Sequence, residues 1–206
     1  DYDNDGDIDI FITTVYGGDH PRLYRNDGVS MPGEPPQYWQ FTHVTTVAGL
    51  ADVNNNFNYQ AAWADYDNDG DLDLVTGGRL YQNQGNANHW LRVRLIGNGT
   101  SVNGAAIGAQ VRIAVPQLGT LTRQVESGTG QGNQNDLILH FGLGAHADPV
   151  DLQIVWPDGM KETLTGVAVD QTTDVSCPTA TGYRDRPGRN IAFGASYTLD
   201  PAPNYQ

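Results

Sequence analysis

The alternation of apolar and polar positions along this chain predicts strands. In NHWLRVRLIG, Leu91, Val93 and Leu95 alternate with Arg92 and Arg94, the pattern of a half-buried strand. VRIAV at 111–115 repeats the alternation, and LILHFGLG and VDLQIVWPDG continue it. Pro157, Asp158 and Gly159 read as a turn, after which KETLTGVAV supplies a return strand. Further on, RNIAFGASYTLD alternates Ile191, Phe193, Ala195, Tyr197 and Leu199 with small or polar residues, a further amphipathic strand. No long stretch carries the 3.6-residue period of a helix. With 25 glycines and only 17% charged residues, the composition suits a turn-rich all-β protein.

The first part of the chain repeats itself. DYDNDGDID at 1–9 returns as DYDNDGDLD at 65–73, and RLYRNDG at 22–28 returns as RLYQNQG at 79–85. The first copy carries a loop insertion around 17–21. Between the copies lie FTHVTTVAGLADV and YQAAWAD. One repeat therefore reads strand, acidic loop, strand, strand, strand, which is the signature of a propeller blade. The chain holds about one and a half such units, and the first copy lacks the strand that YQAAWAD supplies to the second.

Charge sharpens this picture. The net formal charge is −13. Residues 1–88 hold 14 acidic side chains against Arg22, Arg25 and Arg79, and ten of those acids sit in the two nine-residue stretches. A chain so acidic is a poor partner for nucleic acid, which needs Lys/Arg stripes. It favours cations. No apolar run approaches the ~18 residues of a membrane span, so membrane insertion is not expected. Asp1 reads as a processed end or the start of a fragment.

The acidic loops have the chemistry of a calcium cage. Ca²⁺ takes 6–8 oxygens, and alternate side chains of a tight loop converge on one point. The candidates are Asp1, Asp3, Asp5, Asp7 and Asp9 in the first copy, Asp7 through its carbonyl. Asp65, Asp67, Asp69, Asp71 and Asp73 are the candidates in the second. Gly6 and Gly70 permit the left-handed backbone at the turn. Ile8 and Leu72 are expected to pack inside the blade. An EF-hand is excluded, because position 12 is Ile12 or Thr76 rather than Glu and the flanks read as strands.

DYDNDGDIDIF, RLYRNDG, FTHVTTVAGL and WADYDNDGDLDLV resemble the FG-GAP/VCBS repeats of integrin-like propellers. The resemblance implies calcium bound between the first two strands of each blade. NHWLRVRLIG, SVNGAAIGAQVRI, LHFGLG and VWPDG resemble the ASPIC/UnbV domain, which implies a fold more than an activity. The expected organisation is calcium-binding repeats over 1–88, a small antiparallel sandwich-like domain over 89–174, and a tail over 175–206. In the tail, 190–199 is a candidate donor strand for the vacant edge of the first repeat, in the same chain or head to tail in a homopolymer.

Other candidate chemistry is weak. GTGQG at 128–132 lacks the Lys-Ser/Thr of a phosphate loop. Ser127 sits in no nucleophile elbow. His20, His43, His89, His140 and His146 lack metal-ligand spacing. Cys177 has no partner cysteine. Asn98-Gly99-Thr100 is a glycosylation sequon. Tyr38, Trp39, Tyr59, Trp63, Trp90 and Trp156 are expected in the core, with sugar stacking as the alternative. The expected function is a non-enzymatic calcium-binding structural or adhesive protein, extracellular or at the cell surface. Modules of that setting bind calcium at about 10⁻⁴–10⁻³ M, out of reach of cytosolic levels. The alternatives are a carbohydrate-binding module with a glycan partner, or a fragment of a larger propeller.

Overall fold

A computed structural model describes residues 1–16, 18–29, 38–51 and 59–178. The candidate donor strand 190–199 lies outside them. Among the described residues all regular structure is β, in four sheets, none closed into a barrel.

The repeats form two three-stranded antiparallel meanders. The first comprises β1 (Ile10–Ile12), β2 (Arg22–Val29) and β3 (Trp39–His43). The second comprises β4 (Ala61–Ala64), β5 (Asp73–Thr76) and β6 (Arg79–Tyr81). One small core serves both: Leu23, Val44, Leu50 and Leu74 are buried, with Tyr2, Phe11, Trp63 and Tyr81 against them. Phe11 and Trp63 cross edge to face at 6.0 Å, tying β1 to β4. The first acidic loop leads into β1, and the second joins β4 to β5.

The second half is a sandwich. β8 (Gln110–Val115), β9 (Gly119–Gln124), β11 (Val150–Val155) and β12 (Lys161–Val167) make an antiparallel sheet in the order β12-β11-β8-β9. β7 (His89–Ile96), β10 (Leu139–Gly144) and β13 (Gln171–Ser176) make a second, in the order β10-β7-β13. Both sheets feed one core that includes Leu91, Val93, Val111, Ile113, Phe141, Leu152, Ile154 and Trp156. Burying each such side chain contributes about 1.5–3 kcal/mol. The alternation read from β7, β8 and β11 is the alternation of this core face.

Several local expectations change. Ile8 is 51% exposed rather than inside the blade, because Asp9 turns inward to accept backbone N–H groups and the strand alternation then sends Ile8 outward. Leu72 is only half-buried. Tyr38, Trp39 and Tyr59 are exposed, whereas Trp63 and Trp156 join the cores. β13 pairs in parallel with β7, a connection absent from the expected antiparallel domain. The Asn98 side chain stabilises its own turn: Oδ1 accepts from the amides of Thr100, Ser101 and Val102, and Nδ2 donates to Ser101 Oγ and the Pro178 carbonyl.

Candidate metal centre

Each acidic loop is shaped by its own carboxylates. Asn4 and Asn68 adopt left-handed backbone (φ 58° and 63°), which Asn tolerates best after Gly. Gly6 and Gly70 follow at φ 98° and 95°, where a side chain is strained. The Asp5 carboxylate accepts the Asp7 amide at 2.9 Å, and Asp69 accepts the Asp71 amide at 3.0 Å. Asp65 accepts the amides of Asp69 (3.2 Å) and Gly70 (3.0 Å).

The last aspartate of each loop is clasped by the loop itself and by the asparagine of the RLYRNDG or RLYQNQG segment. Asp9 accepts the amides of Tyr2 (2.8 Å) and Asn26 (2.9 Å). Asp73 accepts those of Tyr66 (3.0 Å) and Asn83 (2.8 Å). Asn26 Nδ2 returns a bond to the Ile8 carbonyl, and Asn83 Nδ2 to the Leu72 carbonyl, each at 3.3 Å. The asparagine shared by RLYRNDG and RLYQNQG is therefore a loop clasp. Its recurrence at one offset was the signal that could have revealed it.

Of the ten candidate aspartates, the structure brings together two triads. Asp1, Asp3 and Asp9 lie with one carboxylate oxygen each within 4.8 Å of one another, and so do Asp65, Asp67 and Asp73. Asp5 and Asp69 are engaged by amides at the turn, Asp71 accepts from Asn4 Nδ2 at 2.8 Å, and the Asp7 carboxylate lies beside Gly28. Asp3 Oδ1 is buried with no partner among the described residues. A buried acceptor without a donor is costly, and a hard cation is the partner that an oxygen-only donor set fits. Burial, and then repulsion from Asp5 and Asp9, push the Asp3 carboxyl up to about 6. Burial and the neighbouring Asp69, Asp65, Asp73 and Asp67 push Asp71 up to about 6 as well. Burial also raises Asp5, Asp7 and Asp73.

These shifts set a pH dependence. A carboxyl raised above its unfolded value near 3.8 destabilises the fold when ionised, and that penalty is relieved by protonation. In chelator, thermal stability is therefore expected to rise as pH falls from 7 toward 5. With calcium present the trend reverses if the ion occupies the loops, because protons then compete with it. Melting curves at the two pH values, with and without calcium, check the sign.

The second domain holds the backs of both loops. Asn4 Nδ2 donates to the Gly70 carbonyl at 3.2 Å and Asn4 Oδ1 meets His140 Nε2 at 2.6 Å. Since the Asn4 oxygen accepts, His140 carries its proton on Nε2. Burial pushes the His140 pKa down to about 3, so the ring is neutral, and its Nδ1 has no partner among the described residues. Arg92 contacts Asp65, Asn68 and Asp136, and Arg123 contacts Asp1 while lying 5.4 Å from the Phe141 ring centroid. The Gly142 amide donates to Asp1 at 3.0 Å. Asn86 and Asn88 donate to the Asp3 carbonyl. A cavity of about 650 Å³ lies beside these contacts, lined from both parts by residues that include Ile8, Phe11, Leu72, Trp63 and Arg123.

Comparison with known proteins places both halves. Residues 1–76 match the FG-GAP-like repeat, and residues 99–182 match the ASPIC and UnbV domain, a range that takes in β13. The chain is 28% identical over 190 residues to cartilage acidic protein 1 of Xenopus tropicalis, covering 86% of this chain and 28% of that protein. It is 32% identical over 120 residues to the Mus musculus protein of that name, covering 54% of this chain and 18% of the relative. The human protein is 34% identical over 104 residues, with 46% and 15% covered. The chain thus spans less than a third of the length of these relatives.

Proposed function

The chain carries FG-GAP-like repeats joined to an ASPIC and UnbV domain, and from that premise we propose an extracellular, non-enzymatic protein whose two acidic loops bind calcium for structural purposes. The observation that carries this is the duplicated carboxylate triad, with Asp3 Oδ1 buried and lacking a donor in the first copy. Asp1, Asp3 and Asp9 would hold one ion, with Asp5 and the Asp7 carbonyl available to complete its shell. Asp65, Asp67 and Asp73 would hold the other, aided by Asp69 and Asp71. A bound cation supplies the positive charge that relieves repulsion among these oxygens. The chain's own contribution is the two Gly turns and the Asn26 and Asn83 clasps, which preform the cages.

Calcium that binds only the folded form stabilises it by RT ln(1 + [Ca]/Kd), about 1.4 kcal/mol per site at tenfold excess. At about 2–4 °C per kcal/mol for a chain of this size, two sites raise the melting temperature by roughly 5–10 °C. The measurement is thermal denaturation in EDTA and in millimolar calcium chloride. Superimposable curves remove calcium from the function.

The β1 edge supports a second part of the reading, self-assembly by strand addition. The outer edge of β1 is unpaired among the described residues, and Ile10 and Ile12 are 43% and 46% exposed. An apolar edge of this kind takes an added strand, and 190–199 is the candidate donor. Deleting 187–206 should then change the sedimentation profile; an unchanged profile and melting temperature reject the donor role.

A further inference from the structure

The second domain supplies one arginine to each acidic loop, at the same position of each. Arg92 on β7 places Nη1 2.9 Å from Asp65 Oδ2, with 3% and 0% of the two side chains exposed. Arg123 on β9 places Nη2 3.2 Å from Asp1 Oδ2, with 16% and 2% exposed. Asp1 and Asp65 each open their loop, and each also accepts the amide of the turn glycine, Gly6 or Gly70. The two arginines sit on different sheets of a domain that shows no repeat. The match is therefore a property of the docking, not of the duplication. Arg94, two residues beyond Arg92 on β7, makes the contrast: its pair with Asp174 is about half exposed on both sides and touches neither loop.

A carboxylate out of water needs a positive partner, and stripping one member from a buried pair leaves a charge that destabilises the fold. In a loop without an ion, the arginine is the side-chain cation paired with Asp1 or Asp65 among the described residues. With an ion in place, the carboxylate has two. We propose that Arg92 and Arg123 are resident counter-cations of the loops, positioning residues that keep the second domain seated on the repeats whether or not the loops carry calcium. This rests on the calcium reading above. It makes the two halves a single cation-linked unit, and it predicts that removing an arginine turns a calcium-tolerant seating into a calcium-dependent one.

The test uses the full chain and its Arg92→Gln, Arg123→Gln and double variants, melted in EDTA and in millimolar calcium chloride. Each single variant is expected to lose roughly 6–12 °C in EDTA and less than half of that in calcium, where the ion takes over the compensation. Arg92→Lys recovers most of the loss, and Arg94→Gln shifts little and equally in both buffers. Trp90, one of four tryptophans, lies against Gly70, so part of the emission reports the seating: that part moves to longer wavelength in Arg92→Gln in EDTA and returns with calcium. A double variant that folds only with calcium supports the proposal. Equal losses in the two buffers overturn it, as does failure to fold in both with Arg92→Lys no better. A wild-type chain indifferent to calcium would instead defeat the underlying cation reading, so the two failures are distinguishable.

Discussion

Alanine at Gly70 is expected to lower the melting temperature by roughly 10 °C. Two penalties act at once. The backbone sits at φ 95°, where a non-glycine residue costs about 1–2 kcal/mol. The new methyl would also enter the ring of Trp90, and overpacking of that kind costs about 1–3 kcal/mol. Trp90 stands near the start of β7, so displacing its ring is expected to disturb the seat of β7 on the loop. Gly159→Ala is the comparison: φ is 85°, but open space surrounds the added methyl. It should show the backbone penalty alone. Thermal denaturation of both variants checks the difference, and equal losses would mean that Trp90 gives way freely.

The second large effect concerns Asp73, which is 1% exposed. Asp73→Ala removes the acceptor for the amides of Tyr66 and Asn83. An unsatisfied buried donor costs about 1–3 kcal/mol, so losing both lowers stability by roughly 2–5 kcal/mol even in chelator. Asp67 belongs to the same triad, yet its hydrogen bond is to Gln82 Nε2 at an exposed site. Asp67→Ala is therefore expected to keep its stability in EDTA and to lose the calcium response of its loop. Denaturant titrations of the two variants, with and without calcium, separate the clasp from the cage. If both behave alike, the division of labour between first-turn and last-turn aspartates is wrong.

The acidic loops were legible because their chemistry is local: carboxylates at alternate positions, a glycine in register, and a second copy to check against. β8 and β11 were legible because each buries one face and leaves the other wet, and β7 because Leu91, Val93 and Leu95 line its core face. What lies between the halves was not. Arg92 and Arg94 look alike in an alternating strand, yet one is buried against a loop 27 positions away and the other is half in water. Distance along the chain hides such a pairing. His140 stands in an ordinary strand pattern, and only the fold sets it against Asn4. β13 was missed for a simpler reason. Its sequence, QTTDVS, is mostly polar because the strand lies at the edge of its sheet, with Val175 alone fully inside. Ile8 was misplaced because the inward turn of Asp9 toward the Tyr2 and Asn26 amides, which sends Ile8 outward, exists only in the folded loop.

The parallel pairing of β13 with β7 also has a consequence for how the chain is made. Arg94 and Asp174, partners across those strands, are 80 positions apart. A ribosome releases β7 long before β13, so the sheet β10-β7-β13 stays open on one side until synthesis has passed Ser176. The Gly144 amide bonds the Asn4 carbonyl at 2.8 Å across 140 positions, so the first acidic loop waits longer still for its seat. Contacts this distant in sequence close slowly. During that interval the exposed flank of β7 is where a nascent chain of this protein is open to mispairing, and where a chaperone would be of most use.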